Sequence, residues 1–363
     1  MVDQSTNEIV STDTDESSDE EEVRTRVGLG LFERYLPLWV AICMAIGIIL
    51  ALTVPGISET IDQLQIAGIS IPIGICLFLM MYPAMLNVQA EELKKLGKNP
   101  KPIILTLFSN WIVAPLVGVA LANIFLVGNQ QLIVAIILLS SSPCTAMVLV
   151  WGYLAQGNQE QNIINTSLNT VTIMILYAPI VAILTGISSI PIDHWLLVVS
   201  VVVFIGAPLL LGIASKRVLT HWQGTEWFNE KYRPAVGKIG LLALLVTLVV
   251  LFSLNGKVML ENPDLLVLVS IPLLLGFVIV VGYNLFVTRL ANLSYREGVI
   301  TVIIGSSSHF EIAIATAISM YGVGSIAALG TTMGLFWEVP IMLGIVYLAR
   351  HLQRKDFWKG ESM

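Results

Sequence analysis

The chain of 363 residues is 56% hydrophobic and 12% charged. Soluble domains carry about 25% charged residues, so this composition excludes an ordinary soluble protein and predicts an integral membrane protein. The net charge of −6 reflects one segment, because residues 1–22 hold nine acids and no base, whereas the rest of the chain holds 16 acids and 19 bases.

Residues 1–30 are predicted to form a disordered acidic tail on the cytoplasmic side, since polar and acidic residues dominate them. The tail has neither the basic segment nor the apolar core of a signal peptide. A solubilising role is the simpler interpretation, and a phosphorylated regulatory segment at "SSDEEE" is the alternative.

Ten apolar segments follow within a transporter domain predicted for residues 31–350. A spanning helix needs about 20 mostly apolar residues, and breaker-rich loops such as "GKNPKP" and "LENPD" separate the candidates. The predicted spans are 37–54, 66–86, 103–126, 132–154, 163–188, 195–215, 239–255, 264–288, 298–320 and 323–349. Residues 351–363 are predicted to be a cytoplasmic C-terminus.

The basic residues predict the orientation of these spans, because Lys and Arg accumulate on the cytoplasmic side. With the N-terminus inside, 18 of the 19 bases fall in cytoplasmic segments and only Lys257 falls outside. One span more or fewer would destroy this bias. Ten spans with both termini cytoplasmic are therefore predicted.

Two pairs of matching segments indicate an internal repeat. "SSSPCTA", from Ser140 in the fourth span, matches "SSSHFEI", from Ser306 in the ninth. "NTVTIMILYAP" (169–179) in the fifth span matches "GTTMGLFWEVP" (330–340) in the tenth. Five spans are an odd number, so the second half must be inverted. The predicted fold is all-α, with two inverted five-helix repeats, an architecture typical of transporters that bind substrate at the midplane.

Two glutamates and a histidine lie well inside the predicted spans. Glu311 lies near the middle of the ninth span, where a charge costs at least about 2.5 kcal/mol, so it is a candidate for exchanging protons or for a structural hydrogen bond. Glu338, in the tenth span, either handles protons or binds backbone groups freed by Pro340. His309 either titrates or hydrogen-bonds a neighbouring helix.

Cys144 follows Pro143, a residue that fits the first turn of a helix, so a half-helix is predicted to restart there. The positive end of such a helix would favour the thiolate, although simple packing of a small side chain explains Cys144 equally well. Cys43 and Cys76 are expected to pack in the bundle, and the odd cysteine count without a CxxC pair favours neither disulfides nor a metal site. No catalytic motif, cofactor site or ATP-hydrolysing motif is recognised, so an enzyme is not expected.

Several segments resemble the arsenical-resistance arsenite efflux permeases of the bile acid/sodium symporter superfamily. They are "FERYLPLWVAICMAIGIIL" (32–50), "LMMYPAM" (79–85), "PCTAMVLVWGYLAQGN" (143–158), "FEIAIATAI" (310–318) and "WEVPIMLGIVYLA" (337–349).

The resemblance implies discontinuous, crossing fourth and ninth helices and extrusion of arsenite across the plasma membrane in exchange for protons. It assigns the family's essential cysteine to Cys144, its essential glutamate to Glu311 and a polar position to Asn169. Ser142 and Ser308, beside the two breaks, complete the expected substrate site. A thiol suits trivalent arsenic, because soft ligands prefer soft centres.

One feature departs from the family pattern. Related sequences usually carry an Asn-Asn pair where this chain has Ser308-His309. His309 is therefore a candidate modulator of the site, and the preference between arsenite and antimonite stays open.

The expected mechanism is alternating access, with spans 1, 2, 6 and 7 as a panel that rocks against a core of spans 3–5 and 8–10. The expected partners are arsenite or antimonite, protons and the bilayer, with neither nucleic acid nor an ATPase subunit. The nearest alternative is a sodium-coupled organic-anion symporter. A membrane receptor or sensor is less favoured, and a membrane enzyme least.

Overall fold

The computed structural model describes residues 35–54, 56, 65–66, 69–86, 100–322 and 324–360. The predicted acidic tail lies outside the described residues. Within the described ranges the chain forms twelve helices. They are α1 (Leu36–Thr53), α2 (Ile71–Leu86), α3 (Pro100–Phe125), α4 (Gln130–Ser140), α5 (Met147–Leu154), α6 (Gln159–Ile187), α7 (His194–Gln223), α8 (Thr225–Glu261), α9 (Pro263–Leu290), α10 (Tyr295–Gly305), α11 (Phe310–Tyr321) and α12 (Ile326–Gln353).

A short antiparallel ladder precedes α2. Its strands are β1 (Gln65–Ile66) and β2 (Ile69–Ser70), with Ile66 opposite Ile69. The predicted second span began at residue 66, so its first residues form this ladder and its helix begins at Ile71.

Six of the helices are long and apolar enough to cross a membrane: α3, α6, α7, α8, α9 and α12. Shorter apolar stretches lie in α1, α2, α4 and α11. The helical membrane character predicted from composition is thereby confirmed. The predicted fourth and ninth spans each form two helices with a break between them, α4 and α5 in the first case and α10 and α11 in the second.

Three of the long helices contain a π-helical turn, and a proline follows each turn by two residues. The turns are Ser109–Val113 in α3, Val202–Gly206 in α7 and Phe228–Tyr232 in α8. The prolines are Pro115, Pro208 and Pro234. Proline has no N–H to donate to the carbonyl four residues earlier, and the local ladder accommodates this by widening to the π form.

The surface of the bundle is apolar and its interior holds many polar groups. Ile183, Trp195 and Leu210 are exposed side chains, whereas Asn165 and Thr316 are fully buried. This distribution is expected where lipid surrounds the protein and polar side chains face the interior of the bundle.

Glycines allow α1 to approach α8 closely. A Cβ on Gly47 would lie 2.6 Å from Phe252 Cβ, and one on Gly256 would lie 2.7 Å from Ala51 Cβ. Small residues at helix contacts are typical of membrane bundles, because association there depends on close packing.

The chain beyond α12 returns to the start of α10. Trp358 is buried, its Nε1 donates to Thr288 Oγ1 at 3.1 Å, and its ring meets Tyr295 edge-on at 5.5 Å. The Gly360 N–H donates to the Leu293 carbonyl at 3.3 Å. These contacts attach the C-terminal segment to the loop between α9 and α10.

Candidate functional site

The two helix breaks lie against each other and pair through their backbones. Pro143 and Ser308 form an isolated antiparallel bridge. Its hydrogen bonds come from the neighbouring residues: Cys144 N–H donates to the Ser307 carbonyl at 3.3 Å, and His309 N–H donates to the Ser142 carbonyl at 2.6 Å. Pro143 therefore occupies the non-hydrogen-bonded position of the pair, where its missing N–H leaves no carbonyl unpaired.

This pairing corrects the predicted start of the half-helix. Helix α5 begins at Met147, with Ala146 as its N-cap, and residues 143–146 are not helical. Pro143 was expected at the first turn, but its bridge to Ser308 keeps it extended. Cys144 lies before the first turn of α5, and its thiol interacts with the backbone N–H of Ala146, the N-cap of that helix. Support of a thiolate by the helix end stays a prediction.

Cys144 is buried at the centre of the pairing, with 2% of its surface exposed. Its thiol interacts with Ser307 and lies within electrostatic reach of Glu311 and Glu338. The other cysteines, Cys43 in α1 and Cys76 in α2, lie on different helices. Across the described residues no cluster of three or more His, Cys, Asp or Glu could hold a metal ion.

Glu338 binds the break between α10 and α11. Its Oε1 accepts from Ser307 Oγ at 2.6 Å and from Ser308 N–H at 3.2 Å, while Oε2 accepts from Ser308 Oγ at 2.6 Å. The predicted hydrogen bonds to groups freed by Pro340 are not the ones observed. Glu338 instead holds the two serines that face Pro143 and Cys144, and a proton-handling role stays a prediction.

Glu311 and His309 meet although two residues separate their positions. His309 is the N-cap of α11, and its Nδ1 accepts from the Ile312 N–H at 3.4 Å. The same Nδ1 lies 2.9 Å from Glu311 Oε2, with both side chains almost fully buried. On a regular helix the two side chains would diverge, but His309 precedes the helix and can turn toward Glu311.

Asn169 of α6 connects the break between α4 and α5 to α3. Its Nδ2 donates to the Cys144 carbonyl at 3.1 Å, and its Oδ1 accepts from Asn110 Nδ2 at 3.2 Å. Ser142 is engaged as well, because its Oγ donates to the Leu139 carbonyl at 2.9 Å and so binds the last turn of α4. The predicted substrate-site residues thus converge on the two paired breaks, residues 141–146 and 306–309, which are called the crossing below. Their role in binding stays a prediction.

Two residues at the crossing were missed by sequence reasoning. Asn110 lies in the π-turn of α3, and Asn284 of α9 donates to Ser109 Oγ at 2.9 Å and to Ser306 Oγ at 3.1 Å. The available signal was an amide within an apolar run, in "LFSNWIV" and "VGYNLF".

Cavities lie on both sides of the crossing. The larger, of about 420 Å³, is lined by Ala146, Met147 and Glu311 and by α2 and α8 residues that include Lys238. The smaller, of about 80 Å³, is lined by Pro143, Ser142 and Ser308 together with α3 and α9. Cys144 thus lies in the chain between Pro143, which lines the smaller cavity, and Ala146, which lines the larger one.

Comparison with known proteins identifies the family. The profile of the Sodium Bile acid symporter family matches residues 74–262. The chain is also 33% identical over 335 residues to the arsenical-resistance protein Acr3 of Alkaliphilus metalliredigens, covering 89% of this chain and 93% of that protein. The chain belongs to the sodium bile acid symporter family.

Two further proteins are similar to this chain. It is 31% identical over 338 residues to Acr3 of Corynebacterium glutamicum, covering 91% of both chains. It is 37% identical over 351 residues to an uncharacterized transporter of Synechocystis, covering 91% of this chain and 90% of the relative. The resemblance read from the motifs is confirmed, and the chain belongs with membrane transporters and not with enzymes.

Proposed function

We propose that the protein extrudes trivalent arsenic from the cytoplasm in exchange for protons. Arsenite is the main substrate and antimonite the chemically related one. The observation that carries the proposal is the position of the Cys144 thiol, buried where the two helix breaks pair and flanked by a cavity on each side. The names of the arsenical-resistance relatives support the choice of substrate.

Cys144 would bind arsenic by exchange of one ligand. Trivalent arsenic is present near neutral pH as an uncharged trihydroxide. An As–S bond forms as one As–O bond breaks, and the thiol proton leaves with that hydroxyl as water. The reverse exchange releases the substrate. A single thiol holds arsenic less tightly than a cage of three would, which suits a site that must also release it.

Glu311 would carry the exchanged proton. It lines the larger cavity, it is buried, and no Lys or Arg lies in the predicted ninth span to hold it ionised. Uptake of a proton from one side and its loss to the other side, alternating with arsenic binding, would couple the two fluxes.

We further propose the ten-span inverted-repeat topology in the plasma membrane, with both termini cytoplasmic. The breaks in corresponding positions of the two halves, and their mutual pairing at Pro143 and Ser308, support it. The larger cavity reaches Lys238, at the end of the seventh span that the basic residues assign to the cytoplasm. The structure then corresponds to a state open to the cytoplasm, the side from which arsenite is collected.

Alternating access would rock a panel of spans 1, 2, 6 and 7 against a core of spans 3–5 and 8–10. The larger cavity lies between these groups, since α2 and α8 line one wall and α5 and α11 line the other. If these two walls came together, the site would lose access to the cytoplasm. Movement around the smaller cavity would then expose the site to the opposite side of the membrane.

The second candidate is a sodium-coupled organic-anion symporter, favoured by the description of the matching family profile. It predicts uptake that requires sodium and ignores arsenite. The buried Cys144 thiol within electrostatic reach of Glu311 and Glu338 is the feature that this alternative leaves without a role.

Accumulation of arsenite in cells tests the proposal. Cells that express the protein should hold several-fold less arsenite than cells without it, and Cys144→Ser should abolish the difference while the protein still reaches the membrane. Cys43→Ser is the matched control, a buried cysteine remote from the crossing, and should retain efflux. Normal efflux by Cys144→Ser would overturn the site assignment.

A further inference from the structure

The His309 and Glu311 side chains form a pair whose geometry requires a shared proton. Nδ1 of His309 and Oε2 of Glu311 are 2.9 Å apart, within hydrogen-bond distance. If both atoms presented lone pairs they would repel each other. One proton must therefore lie between them, and it belongs to the Glu311 carboxyl group, because Nδ1 of His309 is the acceptor of the Ile312 N–H at the start of α11.

The other imidazole nitrogen supplies a second proton position. Nε2 of His309 has no hydrogen-bond partner among the described residues, although the side chain is buried. A buried nitrogen without a partner is destabilising, so its persistence points to a role that other states of the protein complete. The pair can thus hold one proton at its centre and a second at Nε2.

We propose that His309 is a positioning residue whose Nδ1 accepts the proton of Glu311, so that the exchanged proton belongs to the His309–Glu311 pair and not to Glu311 alone. This inference rests on the proposed function and names the chemistry of its proton site.

Other titratable groups surround the pair. Glu338 of α12 is held by Ser307 and Ser308, next to His309 in the chain, and Cys144 lies across the break within reach of Glu311. Lys238 of α8 lines the same cavity as Glu311. Tyr177 of α6 is buried near Thr316 of α11. None of these groups is hydrogen-bonded to His309 in the described residues, so the carboxyl of Glu311 is its direct titratable partner.

His309 also has a purely structural role, and one substitution separates the two. His309 caps α11 by accepting from the Ile312 N–H. Asparagine is among the best N-cap residues but has no ring nitrogen that titrates near neutral pH. His309→Asn therefore keeps the cap and removes the proton site, whereas His309→Ala removes both.

Arsenite uptake into everted membrane vesicles provides the first test. Between pH 5.5 and 8.5, His309→Asn should change the pH profile of uptake, because the proton of Glu311 loses its acceptor. Its KM for arsenite should stay within about twofold of the original value. A structural role alone predicts that His309→Asn keeps the original pH profile, and this result would overturn the proposal.

Infrared titration of the purified protein tests the pair without transport. The carboxyl band of Glu311, identified by its loss in Glu311→Gln, should change its midpoint pH in His309→Asn. Glu338→Gln, which leaves His309 and Glu311 unchanged, identifies the infrared band of the Glu338 carboxyl and so separates it from the band of Glu311. A Glu311 band that keeps its midpoint in His309→Asn contradicts the pairing. Absence of arsenite uptake with a displaced band would refute the proposed function and leave the pairing supported.

Discussion

Glu338 shows how a buried carboxyl group can be satisfied without a basic residue. Three hydrogen bonds from Ser307 and Ser308 reach its two oxygens, and a hydrogen bond contributes about 0.5–1.5 kcal/mol net. The carboxyl group thereby fixes the backbone that pairs with Pro143 and Cys144. This geometry holds the break in place, and a role of Glu338 in handling protons stays a prediction.

Replacement of Glu338 by Gln should therefore lower stability more than it changes coupling. The amide has one oxygen in place of two, so a serine hydroxyl loses its acceptor at a cost of about 1–3 kcal/mol. Thermal unfolding in detergent should show the loss, while arsenite uptake keeps its pH profile at a reduced rate. Glu261→Gln, at an exposed pair with Lys257, should change stability by less than about 0.5 kcal/mol. A flattened pH profile with unchanged stability would instead assign Glu338 to proton handling.

The sequence was informative about which residues are exceptional and less so about their partners. Glu311 and Cys144 stood out because a charge and a thiol interrupted apolar runs. The partners of Glu338 could not be predicted, because Ser307 and Ser308 lie about 30 positions away, in the break between α10 and α11. Asn110 and Asn284 were missed because one amide in an apolar run gives no indication of where it points.

At the scale of elements, the apolar runs located the helices well and their ends less well. The first predicted span, 37–54, agrees with Leu36–Thr53, whereas the seventh, 239–255, lies within a much longer helix, Thr225–Glu261. The longer helix continues through polar residues that a hydropathy criterion excludes. The start of α5 was misplaced because the conformation of Pro143 depends on Ser308, which is distant in sequence.

The C-terminal segment is a second element that hydropathy could not predict. Residues 351–363 were expected to be a simple cytoplasmic end, yet Trp358 is buried against α9 and α10. Phe357 adds a contact with Arg289, whose guanidinium lies 4.7 Å from the ring centre. The loop after α5 is attached to the start of α10, because the Tyr295 hydroxyl donates to the Ala155 carbonyl at 2.7 Å. The segment thus braces one end of both broken helices.

Truncation of the Trp358 side chain should destabilise this end of the protein. A buried Trp→Ala change costs about 3–5 kcal/mol, and Trp358 also loses its hydrogen bond to Thr288. Trp358→Ala should lower the thermal midpoint in detergent, and hydrogen exchange should rise in the α9–α10 loop. Trp222→Ala is the control, because that ring is 78% exposed. Equal midpoints for the two variants would show that the C-terminal segment is not a brace.

At the scale of the whole molecule, the paired breaks separate two cavities, as an alternating-access transporter requires. The crossing contains the thiol, the His309–Glu311 pair and the serines held by Glu338. Movement of α2 and α8 relative to this crossing would close the larger cavity without disturbing the site. This arrangement explains how one site could serve both sides of the membrane in turn.

Coupled movement of arsenite and protons in everted vesicles tests the central claim most directly. With an inward-directed arsenite gradient and no sodium, wild-type vesicles should take up arsenite and release protons, and an imposed pH gradient, acid inside, should accelerate the uptake. Glu311→Gln should lose the response to the pH gradient, and Cys144→Ser should lose uptake. Arsenite uptake that requires sodium, or that ignores the pH gradient in the wild-type protein, would contradict proton-coupled extrusion.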